Sequence, residues 1–376
     1  MKRILVCMNL FFIVAPCLYA IDVTEISEIR LRTEDSRSEL DSADRSLITQ
    51  FWDQALNTML LSDESKDIVE IRRQIEDQKG TSPLSFYTSA FISAAKEGLK
   101  AAFLNVQRME EPAKMQMLEQ NLMILTAQLK HPELAEIALS RLDDKDPVIR
   151  YWAARAVTNS GVIQILSSEV TANDDIKAAI LNGLKQRIVF EQQADIVIMI
   201  INFAGVMDHP TAREILQTIA EKRIESYMNW TVEDEQIDTK LLIAMGNVAM
   251  IQDDVAVKAS SARQFARLYS LVFQRFMIGQ EVLSDRQIDA AVTVILEVDK
   301  VVLAKMLNIP KTGVSGAIQQ ISRLEREYES IFGDRLRKGD LATLYQFEYG
   351  EDASGKPLTQ PPQLPEHPAD INNTEE

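Results

Sequence analysis

Side chains that could carry out acid–base or metal chemistry are few in this sequence. Of its three histidines, His131 and His209 each precede a proline, and His367 lies near the C-terminus. A zinc site needs closely spaced His or Cys ligands, and the sequence contains neither a His-x-x-x-His nor a Glu-x-x-His pair. We therefore expect a protein that is not an enzyme and that uses no cofactor.

Two weaker signals could indicate ion or phosphate binding. The loop Gly313–Gly316 resembles a phosphate-binding loop in its glycines alone, because it lacks the Gly-Lys-Ser/Thr ending. Acidic groups occur at 143–146, 174–175 and 253–254, where Asp residues favour helix capping. Calcium ligation is the alternative for these groups, although the Gly and terminal Glu of an EF-hand loop are absent.

Charge argues against nucleic acid as a partner. The formal net charge is −16, and the basic residues form only short groups such as Arg335–Lys338. Nucleic-acid binding normally requires clustered Lys and Arg that displace counterions, and anionic lipid surfaces attract the same clusters. Both kinds of partner are disfavoured, while a composition that is 46% hydrophobic can bury a sizeable core.

Residues 1–20 have the pattern of a secretory signal peptide. Lys2 and Arg3 precede the apolar run Ile4–Ala15, and Ala20 provides a small residue before the polar sequence that follows. The run is too short to span a bilayer, so we expect cleavage after Ala20 and a periplasmic or secreted protein without a membrane span. The alternative is a lipoprotein signal in which Cys17 is lipidated, although Pro16 is unfavourable immediately before such a cysteine.

Cysteine usage is consistent with export to a bacterial periplasm. The two cysteines, Cys7 and Cys17, both lie within the predicted signal peptide, so a chain cleaved after Ala20 has no disulfide. Animal secreted proteins usually carry disulfides, which favours the periplasm.

A motif that begins at Asp146 recurs at Asp174 and Asp208. Each copy opens with an acidic or Pro-containing turn and then places a basic residue, which is Arg150, Lys177 or Arg213. Apolar or small residues follow the base at helical spacing in all three copies, which predicts one buried stripe of a helix. An apolar helix precedes each turn, and helix, turn, helix is therefore the repeating unit.

At these residues the chain resembles the HEAT-repeat family, in particular the short bacterial type, clearly over 131–227. The resemblance implies an α-solenoid, a superhelix of stacked antiparallel helix pairs. It also implies that the turn acids and the bases form a ladder of hydrogen bonds between successive repeats. The structural ladder residues would be Asp146, Arg150, Lys177, Asp208 and Arg213.

The remaining sequence predicts an all-α protein, because alternating strand patterns with tight turns are missing. Residues 21–130 read as helices, either degenerate repeats or a separate helical cap, and 131–335 as HEAT-like repeats. Within the latter, Asp254 begins an incomplete fourth copy, and Val314–Ile331 reads as a last long helix. In the C-terminal segment 336–376, the acidic, Pro-rich composition predicts a disordered tail from about residue 351.

The most apolar run after the signal peptide is Ile196–Ile201. A membrane segment is one interpretation, but Asn202 interrupts the run and it ends near Met207. A core helix of the third repeat is the preferred interpretation.

These patterns favour a non-enzymatic scaffold that binds protein partners with the concave face of the solenoid. In the family, the second helix of each pair lines that face, and Tyr and Arg often dominate interfaces. The predicted contact residues are Tyr151, Arg155, Leu181, Lys185, Glu214 and Gln217. Two alternatives remain: an envelope structural protein anchored through Cys17, and an enzyme or ligand-handling protein, since some HEAT-like proteins act on bilins.

Overall fold

The computed structural model describes residues 23–33, 39–82, 85–168 and 173–367. The predicted signal peptide, with Cys7 and Cys17, and the last residues of the predicted tail, 368–376, lie outside these ranges. Within them the chain forms helices and no β-strand, apart from two isolated β-bridges. The all-α prediction is therefore confirmed, whereas the superhelical solenoid stays a prediction.

The α-helices, numbered in chain order, have the following bounds. They are α1 (Thr24–Thr33), α2 (Ser42–Leu61), α3 (Ser65–Asp77), α4 (Phe86–Val106), α5 (Pro112–Leu129), α6 (Ala135–Leu139), α7 (Pro147–Thr158), α8 (Ser160–Leu166), α9 (Asp174–Ile188), α10 (Ala194–Ala204), α11 (Pro210–Met228), α12 (Gln236–Ile251), α13 (Val255–Ile278), α14 (Asp285–Val298), α15 (Ala304–Met306), α16 (Val314–Ala317), α17 (Ile321–Phe332) and α18 (Asp340–Leu344). A 3₁₀ turn precedes α6, and a π-helical turn at Asp299–Leu303 joins α14 to α15.

The chain divides into two compact units, an N-terminal unit up to Leu129 and a C-terminal unit from Lys130. In the N-terminal unit, α2 packs along α4, and α5 packs against α3 and α4. Its core contains the rings of Trp52 and Phe91, whose centroids lie 5.1 Å apart. Gly98 allows the close approach of α4 to α2, because a Cβ at this position would lie 2.8 Å from a methyl group of Leu56.

Two rows of helices form most of the C-terminal unit. Row one contains α7, α10, α12 and α14, and each helix packs against the next. Row two contains α9, α11, α13 and α17, which also contact one another in order. Helices that follow each other along the chain pack across the two rows, as α10 does with α11 and α12 with α13. This arrangement buries an apolar layer between the rows.

The position of α7 differs from the repeat alignment. The sequence made α7, α9 and α11 equivalent second helices, but α7 packs against α10 in row one, whereas α9 and α11 lie together in row two. The short helix α8, in which Val162, Ile165 and Leu166 are buried, lies between α7 and α9 in the chain. It does not take the place of a first helix paired with α9. The first copy of the motif therefore marks a helix of the opposite row.

The helix starts follow from local capping. The carboxylate of Asp146 accepts the N–H of Val148 at 2.8 Å, with Pro147 in the first turn of α7. Asp254 caps α13 in the same way through the N–H groups of Ala256 and Val257. Asp at the cap and Pro at the first helical position satisfy or remove N–H groups that have no partner within the helix.

The C-terminal end of the unit differs from the sequence expectation in two ways. The predicted helix Val314–Ile331 is broken into α16 and α17, with extended backbone at Gln320. The second difference concerns residues 358–367, here named the strap, which pack against the helices although the composition predicts disorder. The strap carries two buried side chains, Pro361 and Leu364, which give it apolar surface to bury.

Candidate functional site on the second row of helices

The predicted contact residues separate into two groups. Lys185 on α9 and Glu214 on α11 meet across row two, with 2.7 Å between Nζ and Oε2. Gln217 lies one turn further along α11 and donates a hydrogen bond to Glu221 at 3.0 Å. These exposed polar side chains share one surface, which belongs to row two.

Leu181 does not belong to that surface. It is 0% exposed, because α9 turns this side chain into the interior of the unit. Its prediction as a contact residue is therefore wrong, and the residue contributes to the core.

Tyr151 and Arg155 also lie away from row two, because they belong to α7. Arg155 donates a hydrogen bond to the Tyr151 hydroxyl at 3.1 Å, and its guanidinium lies 5.4 Å from the ring centre of Trp152. Tyr151 borders a cleft of about 570 Å³ that is lined by the starts of α7, α10 and α12. The predicted row of contacts is therefore not one continuous face.

The ladder residue Arg150 reaches the turn between α9 and α10 through Glu191, which the sequence did not single out. Arg150 Nε lies 3.3 Å from Glu191 Oε2, and the Arg187 Nη2 atom lies 2.7 Å from the same oxygen. The other carboxylate oxygen accepts the N–H groups of Gln192 and Gln193. Burial alone would raise the pKa of Glu191, but the Gln193 N–H and both arginines lower it, and the net shift is downward.

The other ladder residues make mainly local contacts. Arg213 pairs with Asp208 in its own turn at 3.2 Å, and Lys177 pairs with Asp174 at 3.3 Å. Asp208 also accepts a hydrogen bond from Gln252 at the end of α12, at 3.3 Å. Asp146 caps α7 through the N–H of Val148.

Row two carries a groove between α11 and α13, with α12 at its floor, and its volume is about 250 Å³. Its lining includes Arg213, Glu214, Gln217, Met245, Ser260 and Gln264. A larger open cleft of about 730 Å³ lies between α13 and the segment 338–351, and Ser260 borders it as well. The groove and the cleft therefore meet at α13 and form one surface, here named the row-two surface.

Two arginines on α13, Arg263 and Arg267, adjoin the row-two surface. Arg263 lines the cleft, and Arg267 donates to Gln264 of the groove at 3.3 Å. Both side chains are half-buried, and neither Nε has a hydrogen-bond partner. Burial and the neighbouring positive charge of Arg263 lower the pKa of Arg267. The i, i+4 spacing of two like charges was visible in the sequence, but the lack of acid partners was not.

A buried polar network joins the ends of α11, α12 and α13 elsewhere in this unit. Two nitrogens of Arg223, Nε and Nη2, lie 2.7 Å from the carboxylate oxygens of Asp238, which also accepts a hydrogen bond from the Tyr227 hydroxyl. Arg275, which is 0% exposed, pairs with Glu235 at 2.9 Å. Asp238 is also 0% exposed, so its carboxylate depends on these partners and has no access to ligand.

The histidines contribute to local structure. His131 accepts the N–H of Glu133, and His209 accepts the N–H of Thr211, so each lies at a helix or turn start. His367 contacts Trp230, with 4.8 Å between ring centres. In the part of the chain that the structure describes, no three His, Cys, Asp or Glu side chains are grouped closely enough to hold a metal ion.

The apolar run Ile196–Ile201 lies within α10, in the interior of the C-terminal unit. Across the described ranges, no helix has both the length and the apolar character that a bilayer crossing requires. No protein-family model matches the chain, and a search of the curated proteins finds no significant match.

Proposed function

We propose that this chain is an exported, non-enzymatic scaffold of the HEAT-like type that binds a protein partner through the row-two surface. The pairing of helices across two rows, with Asp-capped turns between them, supports the repeat interpretation. The signal-peptide pattern of residues 1–20 supports export.

The observation that carries the proposal is the continuity of groove and cleft at Ser260. Both are open; the groove is lined by side chains of α11, α12 and α13, and the cleft by α13 and the segment 338–351. Such a surface can accommodate an extended segment or a helix of a partner, and its backbone is already fixed by packing in the unit. The loss of conformational entropy on binding therefore occurs mainly in the partner.

The docked strap supports the body of the unit as the binding element. An alternative, in which a free acidic tail recognises the partner, requires the Pro-rich segment to be available. Residues 358–367 instead contact α13 through Gln274 and the turn after α11 through Trp230.

The test uses a photo-reactive benzoylphenylalanine in place of Gln217, with the purified protein mixed into extract of its native source. We expect a discrete cross-linked protein, because Gln217 is exposed in the groove. The matched control places the same group at Asp289, which is exposed on α14 in row one. Equal cross-linking from both positions would contradict the proposal.

A blocking variant makes the test specific. Gln217→Trp should fill the groove and reduce capture of the partner by a tagged protein at least about tenfold, whereas Asp289→Trp should leave capture unchanged. Circular dichroism of both variants checks that the helices are intact. Unchanged capture by Gln217→Trp would place the interface elsewhere.

A further inference from the structure

Arginine pairing in the C-terminal unit follows a rule with one exception. The half-buried or buried arginines that have a carboxylate oxygen within 3.9 Å are Arg141, Arg150, Arg187, Arg213, Arg223 and Arg275. Within the described part of this unit, the arginines of the same burial that lack an acid at this distance are Arg263 and Arg267.

The absence of acid partners at Arg263 and Arg267 destabilises the protein when no ligand is bound. Two guanidinium groups one helical turn apart repel each other, and each has a buried Nε–H group without a hydrogen-bond acceptor. The neighbouring acids do not remove this charge by contact. Glu348 is paired with Lys338 at 3.1 Å, and Glu221, which acts on Arg267 only through its charge, accepts a hydrogen bond from Gln217.

We propose that Arg263 and Arg267 form a binding site for a carboxylate group of the partner, either an Asp or Glu side chain or a C-terminal carboxylate. A guanidinium presents paired N–H donors that match the two oxygens of a carboxylate. The site lies at the junction of groove and cleft, so that a segment on the row-two surface would bring its carboxylate to the pair.

The site favours one carboxylate over a long acidic run. Glu214, Glu221 and Glu351 lie around the row-two surface and would repel several negative charges. A single carboxylate placed on the two arginines gains charge-assisted hydrogen bonds and removes the like-charge repulsion. This inference rests on the proposed function, because it assigns the chemistry of the partner at the same surface.

The first experiment needs no identified partner. The probe is the peptide acetyl-Gly-Glu-Gly-amide, titrated into the full-length protein labelled with ¹⁵N at arginine, and the readout is the side-chain Nε–H resonances. We expect saturable shifts for Arg263 and Arg267, and none with acetyl-Gly-Gln-Gly-amide, which has the same shape without the charge. Absence of shifts, or shifts of equal size with the Gln peptide, would overturn the site.

A matched pair of variants measures the contribution of the two charges. Arg263→Gln/Arg267→Gln should weaken probe binding at least about tenfold, since charged hydrogen bonds are lost. Arg286→Gln/Arg323→Gln removes the same charge from exposed positions and should change binding less than about twofold. Equal loss in both variants would indicate a general charge effect and would contradict the proposal. The titration of the unmodified protein stands even where the first variant fails to fold.

Inorganic phosphate distinguishes the two kinds of oxyanion. Binding of phosphate to the same resonances at least about tenfold tighter than the Glu peptide would overturn the assignment to carboxylate. The outcome is separate from the cross-linking test: absent probe binding with retained cross-linking at residue 217 removes the carboxylate site and leaves the proposed function. Probe binding without site-dependent cross-linking removes the proposed function and leaves a carboxylate-binding site.

Discussion

At the scale of single residues, Glu191 is the acid on which two arginines converge. Its side chain is 1% exposed and contacts Arg150 and Arg187, together with two backbone N–H groups. An acid in this environment is stabilised only while it is ionised and bonded. The ladder that the HEAT resemblance implies thus depends, at Arg150, on an acid that lies after the second copy of the motif.

Glu191→Gln should lower the free energy of unfolding by about 1–3 kcal/mol near neutral pH, because it removes the charge that both arginines face. The pKa of Glu191 is lowered in the folded state, so its stabilising contribution is present above its ordinary value of 4.5 and is lost as pH falls through the folded pKa. The difference in the free energy of unfolding between the wild type and the variant should therefore become smaller below about pH 4. Urea unfolding as a function of pH measures the gap.

The control for this prediction is Glu214→Gln, which removes an exposed acid with one partner, Lys185. It should change the free energy of unfolding by less than about 1 kcal/mol. A gap for Glu191→Gln that stays constant down to about pH 3 would show that the ionised carboxylate is not the stabilising form.

Asp238 tests the buried network in the same unit. Asp238→Ala removes the acceptor of two Arg223 nitrogens and of the Tyr227 hydroxyl, and it leaves a half-buried cation unpaired. We expect a loss of about 3–5 kcal/mol in the free energy of unfolding. Urea titration of this variant beside Asp289→Ala, an exposed acid on α14, gives the measurement, and equal losses would contradict a network role.

At the scale of elements, Gly246 determines how closely α12 approaches the π-helical turn. A Cβ at this position would lie 2.5 Å from a methyl group of Val302, so Gly246→Ala should force the two segments apart. We expect a cost of about 1–3 kcal/mol from overpacking. Thermal unfolding measures it, with Gly316→Ala as the control, because no atom lies within 4 Å of a Cβ there. A destabilised Gly316→Ala together with an unchanged Gly246→Ala would contradict this account.

Local chemistry made the helix starts predictable from the sequence. Asp146, Pro147 and Asp254 indicate where helices begin, and the structure places caps at these residues. The row in which a helix lies could not be predicted in this way. The place of α7 depends on its packing against α10, and a tertiary contact of this kind leaves no local signal.

The same limit applies to the candidate site. Lys185, Glu214 and Gln217 follow from helical periodicity. Glu214 and Gln217 line the row-two surface, and Lys185 adjoins it through its ion pair with Glu214. The lack of an acid partner for Arg263 depends on the side chains of α11 and of segment 338–351, which are distant in the sequence. The charged residues along α13 therefore could not, from the sequence alone, identify the arginine site.

At the scale of the whole chain, the strap connects the C-terminal segment to the helices of its unit. The amide of Gln274 donates to the carbonyl of Pro362 at 3.1 Å and accepts the N–H of Leu364 at 2.6 Å. Trp230 Nε1 donates to the carbonyl of Pro365 at 3.0 Å. An extended segment without helix or sheet partners is thus bonded by side chains, which satisfies backbone groups that burial would leave without water.

Gln274→Ala should release the strap. The Leu364 N–H would lose its acceptor, and its hydrogen exchange should accelerate at least about tenfold, while amides in α13 should change little. The control is Glu366→Ala, an exposed strap residue. Unchanged exchange at Leu364 would show that burial of the leucine side chain alone holds the strap in place.

Removal of the C-terminal segment then distinguishes a structural strap from a recognition tail. A variant that ends at Gly350 lacks the buried Leu364 and the bonds to Gln274, so it should unfold at a lower temperature than the full chain. Partner capture through residue 217 should persist below that temperature, because Gln217, Ser260 and the arginine pair are all retained. Two results together would contradict this account: a folded truncated variant that no longer captures the partner, and a Gln217→Trp variant that still does. They would show that the row-two surface only supports a tail that binds the partner.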